Sequence, residues 1–187
     1  RQRQMCIRDR KPDPDRRYDR IYIGGDYGQQ NATTFEAFGL DTYRKKFPGL
    51  GEYYHSGRES GRQKSPSEYA RDLVEFMDGL HEQYDNRIFY IFLDPSAKGL
   101  AEEVRRATRT GLDYQVFLRD AENDVALGIS RVQKALVFDI MSVSPKQEYA
   151  VQEFGIYEYD KKSIEKGKEV PVKEADHCMD AIRYVVM

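Results

Sequence analysis

The chain has 187 residues, of which 40% are hydrophobic and 33% charged, a balance that excludes a disordered chain or a membrane-embedded bundle and fits one domain with a sizeable core. With 30 Lys and Arg against 32 Asp and Glu, the net charge of -2 gives no general attraction to nucleic acid, so any such contact must come from a local basic surface. The two cysteines, Cys6 and Cys178, stand far apart in unlike contexts, which argues against a disulfide scaffold and a zinc finger and fits a reducing cytoplasm.

Residues 1–20 are charged and interrupted by proline, cannot bury a face, and read as a tail or linker ahead of a domain over residues 21–187. The opening RQRQMCIRDR resembles translated sequencing-adapter sequence, and the expectation is a native chain that begins upstream with a preceding domain. No signal peptide and no membrane span is expected. IYIGGDYG, residues 21–28, alternates apolar and small residues into a Gly-Asp turn and is predicted as a strand. TTFEAFGLD and GEYYHSG follow as two more strands, suggesting an antiparallel meander. Ser65-Pro66-Ser67-Glu68 is a capping box with Pro at the first helical position, and Tyr69, Leu73, Phe76 and Leu80 at helical spacing predict a helix from Pro66 to Tyr84.

RIFYIFLDPS is a nearly continuous apolar run, expected as a central strand buried on both faces. Leu100 and Val104 predict a short helix closed by Gly111, and DYQVFLRD a further strand. Asn123-Asp124 offers a cap for a helix with the stripe Val125, Ile129, Val132 and Leu136. Ser144-Pro145-Lys146-Gln147 reads as a second capping box opening a helix with Tyr149 and Phe154, and residues 158–174 as a hairpin or loop. DHCMDAIRYVVM closes the chain as a helix with Cys178, Met179, Ile182 and Val186 inward. This order is that of an α/β, RNase H-like mixed sheet, antiparallel in its first strands and then parallel, flanked by helices; order alone also permits other α/β folds.

An isolated buried carboxylate is costly unless a cation or hydrogen bonds compensate it, so acids at the ends of apolar elements point to function. Asp26 ends the first strand, Asp94 ends the central strand, and Asp180 lies on the last helix beside its apolar stripe. In an RNase H-like sheet the first and central strands are neighbours, and three oxygen ligands brought together there suit Mg²⁺ or Mn²⁺ rather than zinc. Two such ions about 4 Å apart can activate water and stabilise the leaving oxygen in phosphodiester hydrolysis.

GGDYGQQNATTF, YYHSGRESGRQKSPSEYARDL, FLDPSA, DVALGISRVQ and KEADHCMDAIRY are together similar to the nuclease domain of phage terminase large subunits, nearest to the group from tailed phages and prophages of Gram-positive bacteria, over residues 21–187. The resemblance implies a two-metal DNA endonuclease with Asp26, Asp94 and Asp180 as metal-binding acids and His177, in an H-x-x-D pattern, beside them. The family's ATPase half, with its Gly-rich phosphate loop, has no counterpart here, so no motor activity is expected of this chain. Implied partners are double-stranded DNA, that ATPase domain, the terminase small subunit and the portal, in the cytoplasm of a bacterial host and away from any membrane.

Plainer readings stand beside these. Asp26-Tyr27-Gly28 is also a turn former, and Asp94 before Pro95 also suits an Asx turn or helix cap. Asp176 is equally an N-cap and, four residues before Asp180, a further metal ligand. His177 reads as a surface histidine or a site residue, while His55 and His81 read as structural. Arg58, Arg62 and Lys64 in a Gly-rich loop, and the stripe Arg105, Arg106 and Arg109, are solvated charges or DNA-backbone contacts. Competing functions are a junction resolvase or transposase, an actin-like ATPase reading Asp26-Tyr27-Gly28 as a phosphate loop, and a docking module for DNA or portal without cleavage.

Overall fold

The computed structural model describes residues 16–28, 31–158, 171–172 and 176–187. The first three strands, β1 (Arg20–Asp26), β2 (Ala32–Leu40) and β3 (Phe47–Ser56), form the expected antiparallel meander. After the single turn α1 (Gly57–Ser60), α2 (Pro66–Tyr84) begins at the expected capping box: Ser65 Oγ accepts from Glu68 N and the Glu68 carboxylate from Ser65 N. Its stripe of Tyr69, Leu73, Met77, Leu80 and Tyr84 is buried, each large apolar side chain contributing about 1.5–3 kcal/mol. β4 (Ile88–Leu93), α3 (Lys98–Ala107), β5 (Gln115–Asp120), α4 (Val125–Val137), the two-residue strand β6 (Met141–Ser142), α5 (Glu148–Ile156) and α6 (His177–Val186) complete the described elements.

The six strands lie in the order β5-β4-β1-β2-β3-β6, with β4 parallel to both β1 and β5, and β6 parallel to β3. This is the RNase H-like plan. Side chains alternate across a strand, and the alternation sorts the sheet into two cores. Ile21, Ile23, Phe35, Ala37, Phe89, Ile91 and Leu93 face α2 and α3, while Phe38, Met141 and Val143 join Cys178, Met179 and Ile182 on the opposite face.

Several expectations need correction. β4 is not buried on both faces: Phe89, Ile91 and Leu93 are fully covered, but Ile88, Tyr90 and Phe92 are only half-buried, because much of the second face here is an aromatic row in which Tyr90 stacks on Tyr22 and Phe117. α3 ends at the Thr108 cap, and Gly111 instead takes its positive φ of 84° in the turn that leads to β5. Ser144-Pro145-Lys146-Gln147 does not open a helix at Pro145. Gln147 Oε1 accepts from Ser144 N, and α5 starts only at Glu148, because residues 145 and 146 form a turn.

Residues 16–20, expected as part of a tail, pack on the domain. Tyr18 is buried edge-on against Tyr84, Asn86 Nδ2 donates to the Tyr18 carbonyl at 2.7 Å, and Arg16 pairs with Asp41. Residues 1–15, Cys6 among them, lie outside the described residues, as does most of the expected 158–174 hairpin, although Val172 N donates to Glu158 O. Among the described residues, no helix is long and apolar enough to cross a membrane.

Candidate active site

The registers Gly24↔Phe92 and Gly25↔Leu93 extend one step to set Asp26 beside Asp94 at the carboxyl ends of two parallel strands. Alternation fixes their common face. Ile23 and Leu93 point into the α2/α3 core, so Asp26 and Asp94, an odd number of residues away, point to the side covered by α6. Helix α6 reaches them because Gly24 leaves room: a Cβ there would lie 1.9 Å from the Ala181 carbonyl oxygen. Ala181 follows Asp180 directly, so the close approach that needs glycine is also the one that brings the third acid in.

Around these acids the side chains are tied together. His177 Nδ1 lies 2.7 Å from Asp26 Oδ2, with both side chains only about one-fifth exposed, at 21% and 19%. Tyr184, one turn after Asp180, donates its hydroxyl to Asp94 Oδ2 at 3.1 Å, and Asn123 Nδ2 donates to the same oxygen at 3.0 Å. Asp94 Oδ1 accepts from Ser96 N at 2.7 Å, so the Asx turn expected at Asp94-Pro95 is also present. Arg183, which is 2% exposed, donates to Asp180 Oδ1 from Nε at 3.2 Å and from Nη2 at 2.6 Å, and its stem packs against Gly128 of α4.

The electrostatics follow from this crowding. Burial raises the Asp26 carboxyl above its ordinary value, and Asp180 and Asp94 push it further up while His177 pulls it back. Burial raises Asp180 as well, partly offset by Arg183. Asp94 is the exception: burial pushes it up, but Ser96, Tyr184 and Arg183 outweigh that, and it lies below the usual carboxylate value. The hydrogen bond to Asp26 raises His177 despite desolvation, and Tyr184 is pushed up by burial and then by all three acids. Three carboxylates crowded in this way fit a divalent cation, which would relieve the repulsion, and their hard oxygens suit Mg²⁺ or Mn²⁺.

Asp176 stands at the N-cap position of α6, yet its side chain makes no capping hydrogen bond. The basic residues split into two groups. Arg58, Arg62 and Lys64 follow the end of β3, whose Tyr54 pairs with Thr34 and so lies level with Asp26 at the same end of the sheet. Lys64 is engaged with Asp72 at 2.6 Å and Arg62 with Glu68, while Arg58 is exposed. Arg105, Arg106 and Arg109 are exposed at the end of α3, which runs from the carboxyl end of β4 toward the start of β5 and so away from the acids; Arg106 pairs with Glu103. His55 and His81 bond to Tyr69 Oη and the Asn86 carbonyl, as structural histidines do.

Sequence reasoning does not single out Tyr184, Arg183 or Asn123. Helical spacing signals the first two, since positions three and four beyond Asp180 share its face. Nothing local marks Asn123, which reads as part of a cap; Asp124 alone does that work, accepting from Leu127 N at 3.0 Å. A second cluster, Glu36, Glu52 and Cys178, has ligand-type atoms within 4.8 Å of one another. It is poorly suited to a cation: Glu36 is held well above the usual range by burial and by Glu52, and already accepts from Gln147 Nε2 at 2.8 Å and Thr34 Oγ1 at 3.1 Å. Burial likewise pushes the Cys178 thiol far up, away from a ligating thiolate.

Neither any family model nor any curated protein matches the chain. Among solved structures, the large terminase of a thermophilic bacteriophage, in complex with ADP, matches with a TM-score of 0.78 and 32% identity, covering 91% of this chain and 40% of that one. The nuclease domain of the P22 large terminase matches with a TM-score of 0.67 at 16% identity, covering 97% of this chain and 86% of that one. The large terminase nuclease domain of bacteriophage SPP1, with bound Mn, gives 0.58 at 18%, covering 90% and 86%. This chain spans about 40% of the length of the thermophilic phage's terminase, whereas it spans most of the two separate nuclease domains. In fold the chain is thus of the terminase nuclease-domain kind, the family that its own sequence motifs resemble.

Proposed function

We propose that the chain is a metal-dependent endonuclease that cuts double-stranded DNA, acting as the nuclease part of a viral genome-packaging terminase. The observation that carries this reading is the meeting of Asp26, Asp94 and His177-x-x-Asp180 on one face of the sheet at its carboxyl edge. The metal-bound SPP1 nuclease domain, similar in fold, supports it.

Asp26, Asp94 and Asp180 would hold two Mg²⁺ or Mn²⁺ ions, with Asp176 a further candidate. When bound, such cations activate a water for attack on the phosphodiester phosphorus and stabilise charge on the departing oxygen. His177 keeps a proton on Nδ1, shared with Asp26, and so fixes the orientation of that carboxylate. Tyr184 and Asn123 hold Asp94 from two sides, leaving its geometry set before any ligand arrives. Arg183 restrains Asp180 and supplies a buried positive charge beside the acids. The net charge of -2 leaves DNA attraction to local groups, for which Arg58 and its neighbours Arg62 and Lys64, at the same end of the sheet, are better placed than Arg105 and Arg109. Within a terminase, the ATPase domain, small subunit and portal would be its partners.

The test is incubation of the purified chain with supercoiled plasmid and Mn²⁺ or Mg²⁺. Nicked and linear products with little sequence preference, abolished by chelator, are expected. A folded sample that leaves the plasmid intact at high protein concentration with Mn²⁺ would refute the reading.

A further inference from the structure

Helix α6 carries His177 and Asp180, and its first backbone N–H groups have no partner within the helix. Asp176, in the N-cap position, does not supply one: its backbone has φ -120° and ψ 8°, and its side chain makes no capping bond. The donors are met from another element. Glu153 of α5 places Oε2 2.8 Å from Cys178 N and 3.1 Å from Met179 N, the two residues between His177 and Asp180. Glu153 is 5% exposed, an expensive place for a carboxylate unless it does something there that a nonpolar residue cannot. Helix α5 is held in the same way one step earlier: Gln147 gives it no side-chain cap, and Glu52 of β3 accepts from Tyr149 N at 2.7 Å and Ala150 N at 3.1 Å. A relay of carboxylate caps therefore runs from the sheet through α5 to the helix that completes the acid cluster.

We propose that Glu153 is a positioning residue of the active site, capping α6 from α5 so that His177 and Asp180 stand in register with Asp26; the proposal rests on the nuclease reading above. Glu153 touches none of the three acids. It acts on the backbone between two site residues, where a shift of the first turn would move both together.

The test compares the full 187-residue chain with its Glu153→Ala and Glu153→Gln variants and with Asn86→Ala as a control. Asn86 is buried and, like Glu153, satisfies two backbone groups, Tyr18 O and Ile88 N, but at the opposite end of the sheet. Mn²⁺ binding is read from the electron paramagnetic resonance of the free ion, with plasmid nicking and thermal melts alongside. Loss of a group that orients metal ligands typically weakens metal binding about 10–100-fold, and Glu153→Ala is expected in that range. Glu153→Gln, which keeps an acceptor oxygen, should bind within about threefold of wild type on the same reasoning. Asn86→Ala should melt lower with its Mn²⁺ binding unmoved.

Wild-type Mn²⁺ binding by a folded Glu153→Ala overturns the proposal, as does an equal loss in Asn86→Ala, which would mark general destabilisation. Glu153→Gln as weak as Glu153→Ala overturns the hydrogen-bonding account. If Glu153→Ala does not fold, Glu153→Asp, one methylene short of α6, must show weakened binding, and wild-type binding by it counts against the proposal. A wild-type chain that binds no Mn²⁺ overturns the nuclease reading itself, an outcome separate from binding that Glu153→Ala leaves unmoved.

Discussion

The contact between Gly24 and α6 makes a quantitative prediction. A methyl group at Gly24 would lie 1.9 Å from the Ala181 oxygen and 2.8 Å from its carbonyl carbon, and both are backbone atoms that no rotamer change can move. In Gly24→Ala the helix must retreat by about 1 Å or more before the contact becomes tolerable. Overpacking of this kind costs about 1–3 kcal/mol, which for a chain of this size lowers the melting temperature by roughly 2–12 °C. The larger effect falls on the site, because His177 and Asp180 ride on the displaced helix while Asp26 stays with β1. A misplacement of about 1 Å is enough to cost about 100-fold in rate. Gly39→Ala, another overpacked glycine of the sheet, is the control. Its methyl would meet the Tyr18 ring at 2.6 Å, a clash that is milder because it is with a side chain rather than backbone, and Gly39 pairs with Ile21 at the far end of β1, so activity is compared per degree of melting temperature lost. Melting curves and Mn²⁺-dependent plasmid nicking on both variants give the answer. Equal losses of activity per degree in the two, or nicking by Gly24→Ala within a few-fold of wild type, would refute the claim that this approach sets the site.

Asp26→Asn and Asp94→Asn should each abolish nicking. In metal-free melts at pH 8, Asp26→Asn should be at least as stable as wild type, since burial makes the Asp26 charge unfavourable and amide replaces it. Asp176→Ser should change stability by less than about 0.5 kcal/mol, because no capping bond is lost; if it also stops nicking, Asp176 belongs among the ligands. Burial raises Glu153 to about 7, so the folded chain holds this proton more tightly than the unfolded chain does. Its contribution to stability is therefore greatest at low pH and declines as pH rises from the ordinary carboxylate range toward 7, by on the order of 3 kcal/mol. Glu153→Gln should lack this decline, and melts from pH 4.5 to 8 on both proteins would show parallel curves if the account is wrong.

What the sequence shows of this domain is what local chemistry encodes. The α2 capping box and stripe, and the period-two strands, are readable because each signal lies within a few residues of what it determines. Asp26 and Asp94 are readable as site candidates because an acid that closes an apolar strand is out of place. Asp180 and His177 stand out mainly through the family resemblance, since a helix with an acid beside its stripe is ordinary by itself. The rest depends on long-range contacts. The caps of α5 and α6 come from Glu52 and Glu153, 97 and 25 residues away from the groups they satisfy, so a search for caps next to each helix finds Ser144 and Asp176 instead. Asn123 reaches Asp94 across 29 residues, and Arg16 and Tyr18 are docked by Asp41 and Asn86, partners that composition cannot reveal.

The site also shows how three acids can share one face of a folded domain before any cation is bound. Each has a separate compensation: His177 for Asp26, Arg183 for Asp180, and the donors Tyr184, Asn123 and Ser96 for Asp94. His177, Arg183 and Tyr184 all come from α6, the helix that also brings the third acid. A helix that delivered Asp180 alone would add charge to a crowded site, and burial already raises Asp26 and Asp180. Delivering His177 and Arg183 with it gives Asp26 a hydrogen-bond partner and Asp180 an opposite charge, the two acids that burial raises, while Asp94, held by neutral donors as well, stays below its usual value. Asp94 is therefore the one of the three acids whose charge the fold favours, whereas burial works against the charge on Asp26 and Asp180.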